Sequence, residues 1–181
     1  MKRLLVLLLA LVLMVSWSLP ALAAPTADVT ITATPEYLAI TNSEASWAMG
    51  PVEASKASTY FWTDDGLIFD EPMTAARMKS TITNTGSVTS DVNVKALNFT
   101  GGVGWTLAAV VGVNTVVLKV GGTAFANEAA MLVLLDGADQ ELKDSILAAG
   151  TYKWCMHLET GTFGDGVAKS CTVTLTIVKH V

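Results

Sequence analysis

The chain predicts an all-β fold, two antiparallel sheets packed face to face as a β-sandwich. Three observations carry that expectation. Apolar residues alternate with polar ones in short runs along most of the chain. Turn signals rich in Gly, Asn and Asp separate the runs at intervals of roughly ten residues. Only one segment has a helix-like pattern.

Taken in order, "ADVTITA" alternates Val29, Ile31 and Ala33 with threonines, and "RMKSTITN" sets Met78 and Ile82 against Arg77, Lys79 and Thr81. "DVNVKAL" places Val92, Val94 and Ala96 opposite Asn93 and Lys95. "NTVVLKVGG" gives Val116, Leu118 and Val120, and "YKWCMHLE" gives Tyr152, Trp154, Met156 and Leu158 opposite Lys153, His157 and Glu159. "CTVTLTIVK" sets Val173, Leu175 and Ile177 against a threonine row. Threonine suits such strands because β-branched side chains pack well on a pleated surface. Within "NEAAMLVLLDGADQELKDSILAAG" the pattern predicts a strand over Ala130 to Leu135. Asp139, Leu142 and Ile146, followed by Gly150, predict one short helical turn over Gln140 to Leu147. The stretch Thr41 to Thr59 has the weakest periodicity and reads as a long loop.

The N-terminus predicts the compartment. Lys2 and Arg3 precede the uncharged apolar run Leu4 to Val15, and small residues follow with an A-x-A at Ala21 and Ala23. This is the layout of a secretory signal peptide over residues 1–23, cleaved after Ala23 or Ala24. The run is shorter than the roughly 20 residues that a membrane span needs. Residues 24–181 then form a single domain, long enough to bury a core. Removing Lys2 and Arg3 from eleven bases leaves nine against sixteen acids, a net charge of −7. Arg77 is the one arginine left. Such a balance argues against nucleic acid and anionic membranes as partners, because both need clustered Lys and Arg. The C-terminal "TLTIVKHV" supplies no hydrophobic tail, so no direct membrane insertion of the mature chain is expected.

The chain has two cysteines, Cys155 and Cys171, and two histidines, His157 and His180. As zinc ligands they fail on spacing: Cys171 and His180 are separated by roughly 30 Å of extended strand. As a nucleophile and base, Cys155 and His157 lie nearly 7 Å apart on one strand, beyond hydrogen-bond reach. A disulfide across a hairpin remains, with Tyr152 to Glu159 running out, "TGTFGDGV" turning and Lys169 to Val178 running back. Closing a loop of about 15 residues would stabilise by roughly 3 kcal/mol. Apolar alternation would place the two cysteines on opposite faces, so a β-bulge between Gly166 and Ser170 is expected as well.

No constellation for catalysis is legible. His157 and His180 have no G-x-S-x-G serine near them. The acids of "FWTDDGLIFDEP", Asp64, Asp65, Asp70 and Glu71, come as adjacent pairs rather than at the alternate positions of a calcium loop, and read as a solvated turn. No enzyme, metal or cofactor is therefore expected. "NFT" at Asn98 meets the N-glycosylation pattern.

Two turn patterns carry a resemblance. "ITNTGSVTSDVNVKALNFTGG", followed by "LAAGTYKWCMHLET", resembles the immunoglobulin-like antiparallel β-sandwich domains of secreted microbial surface proteins and fibre subunits. In those domains "NTG" turns separate polar-faced strands and an L-x-x-G-x-Y turn opens a late strand. The resemblance implies a non-catalytic structural or adhesive protein of a cell surface or extracellular fibre, with itself or other surface proteins as partners. The segment Val29, Ile31, Ala33 is a candidate donor strand for a neighbouring subunit's sheet edge. The alternative function is a carbohydrate-binding module, with Trp47 and Trp105 as candidate stacking platforms and Trp154 reserved for the core.

Overall fold

A computed structural model describes residues 32–48, 50, 58–62, 78–123 and 128–181. The signal segment, Val29, Ile31 and the acids Asp64 to Glu71 lie outside the described residues. The chain divides into compact units at residues 1–34 and 35–181, and the second contains all of the strands described below.

The described residues form ten strands: β1 (Ile40–Asn42), β2 (Ser58–Phe61), β3 (Ser80–Asn84), β4 (Ser90–Ala96), β5 (Thr106–Leu107), β6 (Thr115–Gly122), β7 (Leu132–Leu134), β8 (Gln140–Ile146), β9 (Thr151–Thr160) and β10 (Val173–Lys179). A seven-stranded sheet has the order β1-β3-β9-β6-β5, with β2 also pairing with β9 and β7 with β6. A three-stranded sheet has the order β10-β4-β8. All pairings are antiparallel except β5 with β6, where Thr106 faces Thr115 in parallel.

The core lies between the two sheets, and period-two alternation explains it. In β4, Val92, Val94 and Ala96 are fully buried while Asp91, Asn93 and Lys95 face outward. From the facing sheet, β9 contributes Tyr152, Trp154, Met156 and Leu158, and β6 contributes Val116, Leu118 and Val120. The other face of β9 is buried too: Cys155 packs there with Met78 and Met131. A strand buried on both faces reads as a near-continuous apolar run.

The expected immunoglobulin-like sandwich with a helical turn is corrected in two respects. Seven strands against three, with one parallel pair, is not the four-and-three antiparallel partition of that fold. Gln140 to Ile146, expected as a helical turn, is strand β8, and a three-residue 3-10 turn at Glu128–Ala130 is the only helical element among the described residues. The reason lies in the spacing. Leu142 and Ile146 are four apart, and that interval returns to the same face in a strand as well as in a helix. Pairing with β4 then decides, overriding the helix-forming composition. Gly150 caps no helix; its N–H donates to the Leu147 carbonyl at 2.8 Å, in the turn that joins β8 to β9.

The expected disulfide is also corrected: Cys155 and Cys171 are free thiols. β9 and β10 do not form a hairpin. β9 lies in the large sheet between β6 and β2/β3, whereas β10 pairs with β4 in the small one. Cys155 faces away from the inter-sheet core, and Cys171 packs against it. The bulge expected between Gly166 and Ser170 has no strand to sit in, since residues 163–169 connect the sheets without strand pairing. Burial raises the Cys155 thiol to about 12 and the Cys171 thiol to about 11. Both thiols are therefore expected to react slowly with a disulfide reagent in the native state and rapidly in denaturant, two per chain. A denatured, unreduced chain with no reactive thiol would overturn the correction.

Candidate functional site

The sheets part along β10, and the gap is a cleft of about 320 Å³. Its floor is the inner row of β9, Trp154, Met156 and Leu158, and one wall is Val173 and Leu175 of β10. Asn42 at the end of β1 orients the floor. Its side-chain carbonyl accepts from the Trp154 indole N–H at 2.9 Å and from the Ser80 hydroxyl at 2.7 Å. Its amide donates to the Glu44 carbonyl at 2.6 Å. Trp62 meets Trp154 edge to face, with centroids 5.5 Å apart, and stacks on Trp47 at 6.2 Å and 21°.

The candidate stacking residues are placed differently from each other. Trp47 is half-buried and lines the cleft. Trp105 is 7 % exposed and stacks on Phe163 with centroids 3.9 Å apart. Lys169 Nζ lies 6.0 Å from the Trp105 ring centre. Trp105 thus belongs to a packed corner rather than to a surface platform. The same corner is tied by Asp165, which pairs with Lys169 and accepts from the Val103 N–H at 2.6 Å. The Lys169 hydrogen bond, followed by the one from Val103, holds the Asp165 carboxyl below the usual carboxylate range.

Ala33, the one described member of the candidate donor strand, is exposed and outside any strand. Asn98 uses its side-chain carbonyl to accept from the Leu107 N–H at 2.7 Å, the role of a turn asparagine. Cys155, His157, Cys171 and His180 do not converge: the first two lie on the outward face of β9, Cys171 lines the cleft and His180 follows β10.

His180 instead meets two acids. Its Nδ1 lies 2.8 Å from Asp91 Oδ1 and 3.1 Å from Asp144 Oδ1. One imidazole nitrogen and two carboxylate oxygens, all within 4.8 Å of one another, form a donor set that borderline divalent cations accept. The three groups come from β4, β8 and the end of β10, so their association closes one end of the small sheet. No sequence signal could have found them, because His180 and Asp91 are 89 residues apart.

The Ser145 N–H bonded to Asp91, and then His180 beside it, hold the Asp91 carboxyl below the usual carboxylate range. A depressed folded value means stability that is present above the unfolded pKa of about 3.9 and is lost as pH falls through the folded one. Asp91→Asn is therefore expected to melt lower than the wild type at pH 7, with the gap closing below about pH 4. Melting temperatures between pH 2 and 7 check this; a gap independent of pH would count against it.

No family model matches the chain, and no curated protein or solved structure matches it either. The class that the fold itself defines is an all-β domain of two unequal sheets with a cleft at the edge of the smaller. No helix among the described residues is long and apolar enough to cross a membrane.

Proposed function

We propose that this is a secreted, non-catalytic structural or adhesive component of a cell surface or extracellular fibre. The observation that carries the reading is the edge of β10. Among the described residues β10 pairs only with β4, and its inner row Val173, Leu175 and Ile177 is half-buried. An edge strand with an apolar row and free backbone groups is a template for pairing with another chain. The indoles support the same reading over carbohydrate binding. Trp62, Trp105 and Trp154 are spent on packing, which leaves Trp47, alone among the described indoles, partly open at the cleft.

The test is the mass of the mature chain in solution, by size-exclusion chromatography with light scattering over a range of concentrations. Assemblies that grow with concentration are expected. A monomer at every concentration that also fails to coat a cell surface would sink the reading.

A further inference from the structure

The two edges of the small sheet are built differently. β8 is guarded: its pairing with β4 shifts register twice, it carries Glu141, Lys143 and Asp144, and Ser145 has a φ of +58°. Bulges and charges of this kind stop a second chain from adding to an edge. β10 has no bulge and a single charge. Its seven residues pair with β4 in unbroken register, without Pro or Gly, and its only charge is Lys179 at the end.

The ladder shows which backbone groups are free. The Leu97 N–H donates to the Thr172 carbonyl at 3.2 Å, and the His180 N–H to the Thr89 carbonyl at 3.1 Å. In an antiparallel pair, hydrogen-bonded and non-hydrogen-bonded residues alternate. Even-numbered residues of β10 thus face β4, and Val173, Leu175 and Ile177 direct their N–H and C=O groups to the edge that no described strand covers. An added strand would have to alternate, with apolar side chains on the cleft side.

We infer that the occupant is the segment Asp28 to Thr34 of a second copy of this chain. This deepens the surface-component reading and rests on it. The segment matches β10 in length, and it offers Val29, Ile31 and Ala33 at every second position, with threonines between. Pro35 follows it and ends any ladder, since proline has no N–H to donate. In the described part, residues 32–38 are all exposed and residues 32–34 pair with no strand. Glu36, the residue after Pro35, forms an ion pair with Lys179 at the end of β10, at 2.5 Å. One copy thereby carries both a donor segment and an acceptor edge. Passed from copy to copy, such a contact is head to tail and builds a ring or a fibre; exchanged reciprocally, it closes a pair of copies.

The test compares three forms of the mature protein: wild type, a deletion through Pro35, and Val29→Asp with Ile31→Asp. Both changes lie outside the ten strands. Wild type is expected to form assemblies, and both variants to run as monomers with unchanged melting. A synthetic peptide of residues 26–35 should shorten the wild-type assemblies and bind the deleted form saturably. Ile177→Lys should abolish that binding. Assemblies of equal size in all three forms would overturn the inference while leaving the surface-component reading intact. Wild-type monomers, with a deleted form that binds no peptide, would overturn the inference and remove the support for that reading. A monomeric wild type whose deleted form alone takes up the peptide would mean that the strand serves its own copy, and would overturn exchange between copies.

Discussion

Replacing Asn84 by alanine is expected to lower the unfolding free energy by about 3 kcal/mol, the largest effect of any polar substitution in the described core. Asn84 is 0 % exposed at the end of β3. Its amide donates to the Val88 carbonyl at 2.8 Å and to the Ile146 carbonyl at 2.9 Å, and its side-chain oxygen accepts from the Gly86 N–H at 2.9 Å. One side chain thus closes the turn after β3 and ties it to the end of β8 in the other sheet. Alanine would leave two carbonyls without this partner, at roughly 1–3 kcal/mol apiece before water recovers part of the loss, while the Gly86 N–H keeps the Ala39 carbonyl at 3.0 Å. Domains are stable by only about 5–15 kcal/mol, so the shift is easy to read in a denaturant titration. Asn84→Asp supplies a control: it keeps the acceptor for Gly86, loses both donors and should be no better tolerated. A midpoint unchanged in the alanine variant would show that the turn does not depend on this side chain.

Trp154→Ala should cost more, about 3–5 kcal/mol. Trp154 is 2 % exposed on the inner face of β9, where Trp62 leans on it edge to face and Asn42 accepts its N–H. Removing the indole opens a void in a close-packed interior and leaves the Asn42 oxygen with one donor fewer. Trp154→Phe separates the contributions, because it retains an aromatic ring and deletes the N–H; a loss of about 1–2 kcal/mol is expected there. Equilibrium unfolding of the two variants checks both figures. A Trp154→Ala chain as stable as the wild type would mean that the cleft floor is not part of the cooperative core.

How much was legible follows from the range over which each feature is encoded. β4 and β10 stood out because alternation is local: each carries its own inner and outer rows, whatever it pairs with, whereas β9 is buried on both faces over most of its length. β8 was misread because Leu142 and Ile146 sit at an interval common to both periods, and only the partner β4 separates them. The cysteines were misread for a related reason. Cys155 and Cys171 flank a turn-rich stretch, and proximity along the chain suggested a hairpin. The intervening residues instead carry the chain from one sheet to the other, and the two thiols end on different faces of β9. The alternation already placed them on opposite faces, and that local signal was the better guide. The small-sheet cluster of Asp91, Asp144 and His180 was silent, since three strands distant in sequence must meet before it exists.

Local alternation is enough to make the domain all-β, to place most of its turns and to set which rows of side chains seek the core. These properties need only the two-residue period of the strand and the cost of burying polar groups. Which strands are neighbours depends on the packing of the whole chain. That packing made β9 the centre of one sheet and β10 the edge of the other, kept the thiols apart, and left Val173, Leu175 and Ile177 facing an edge that no described strand covers. Strand pairing is a choice among many edges of similar local pattern, settled by packing of the whole chain, and no single segment contains it.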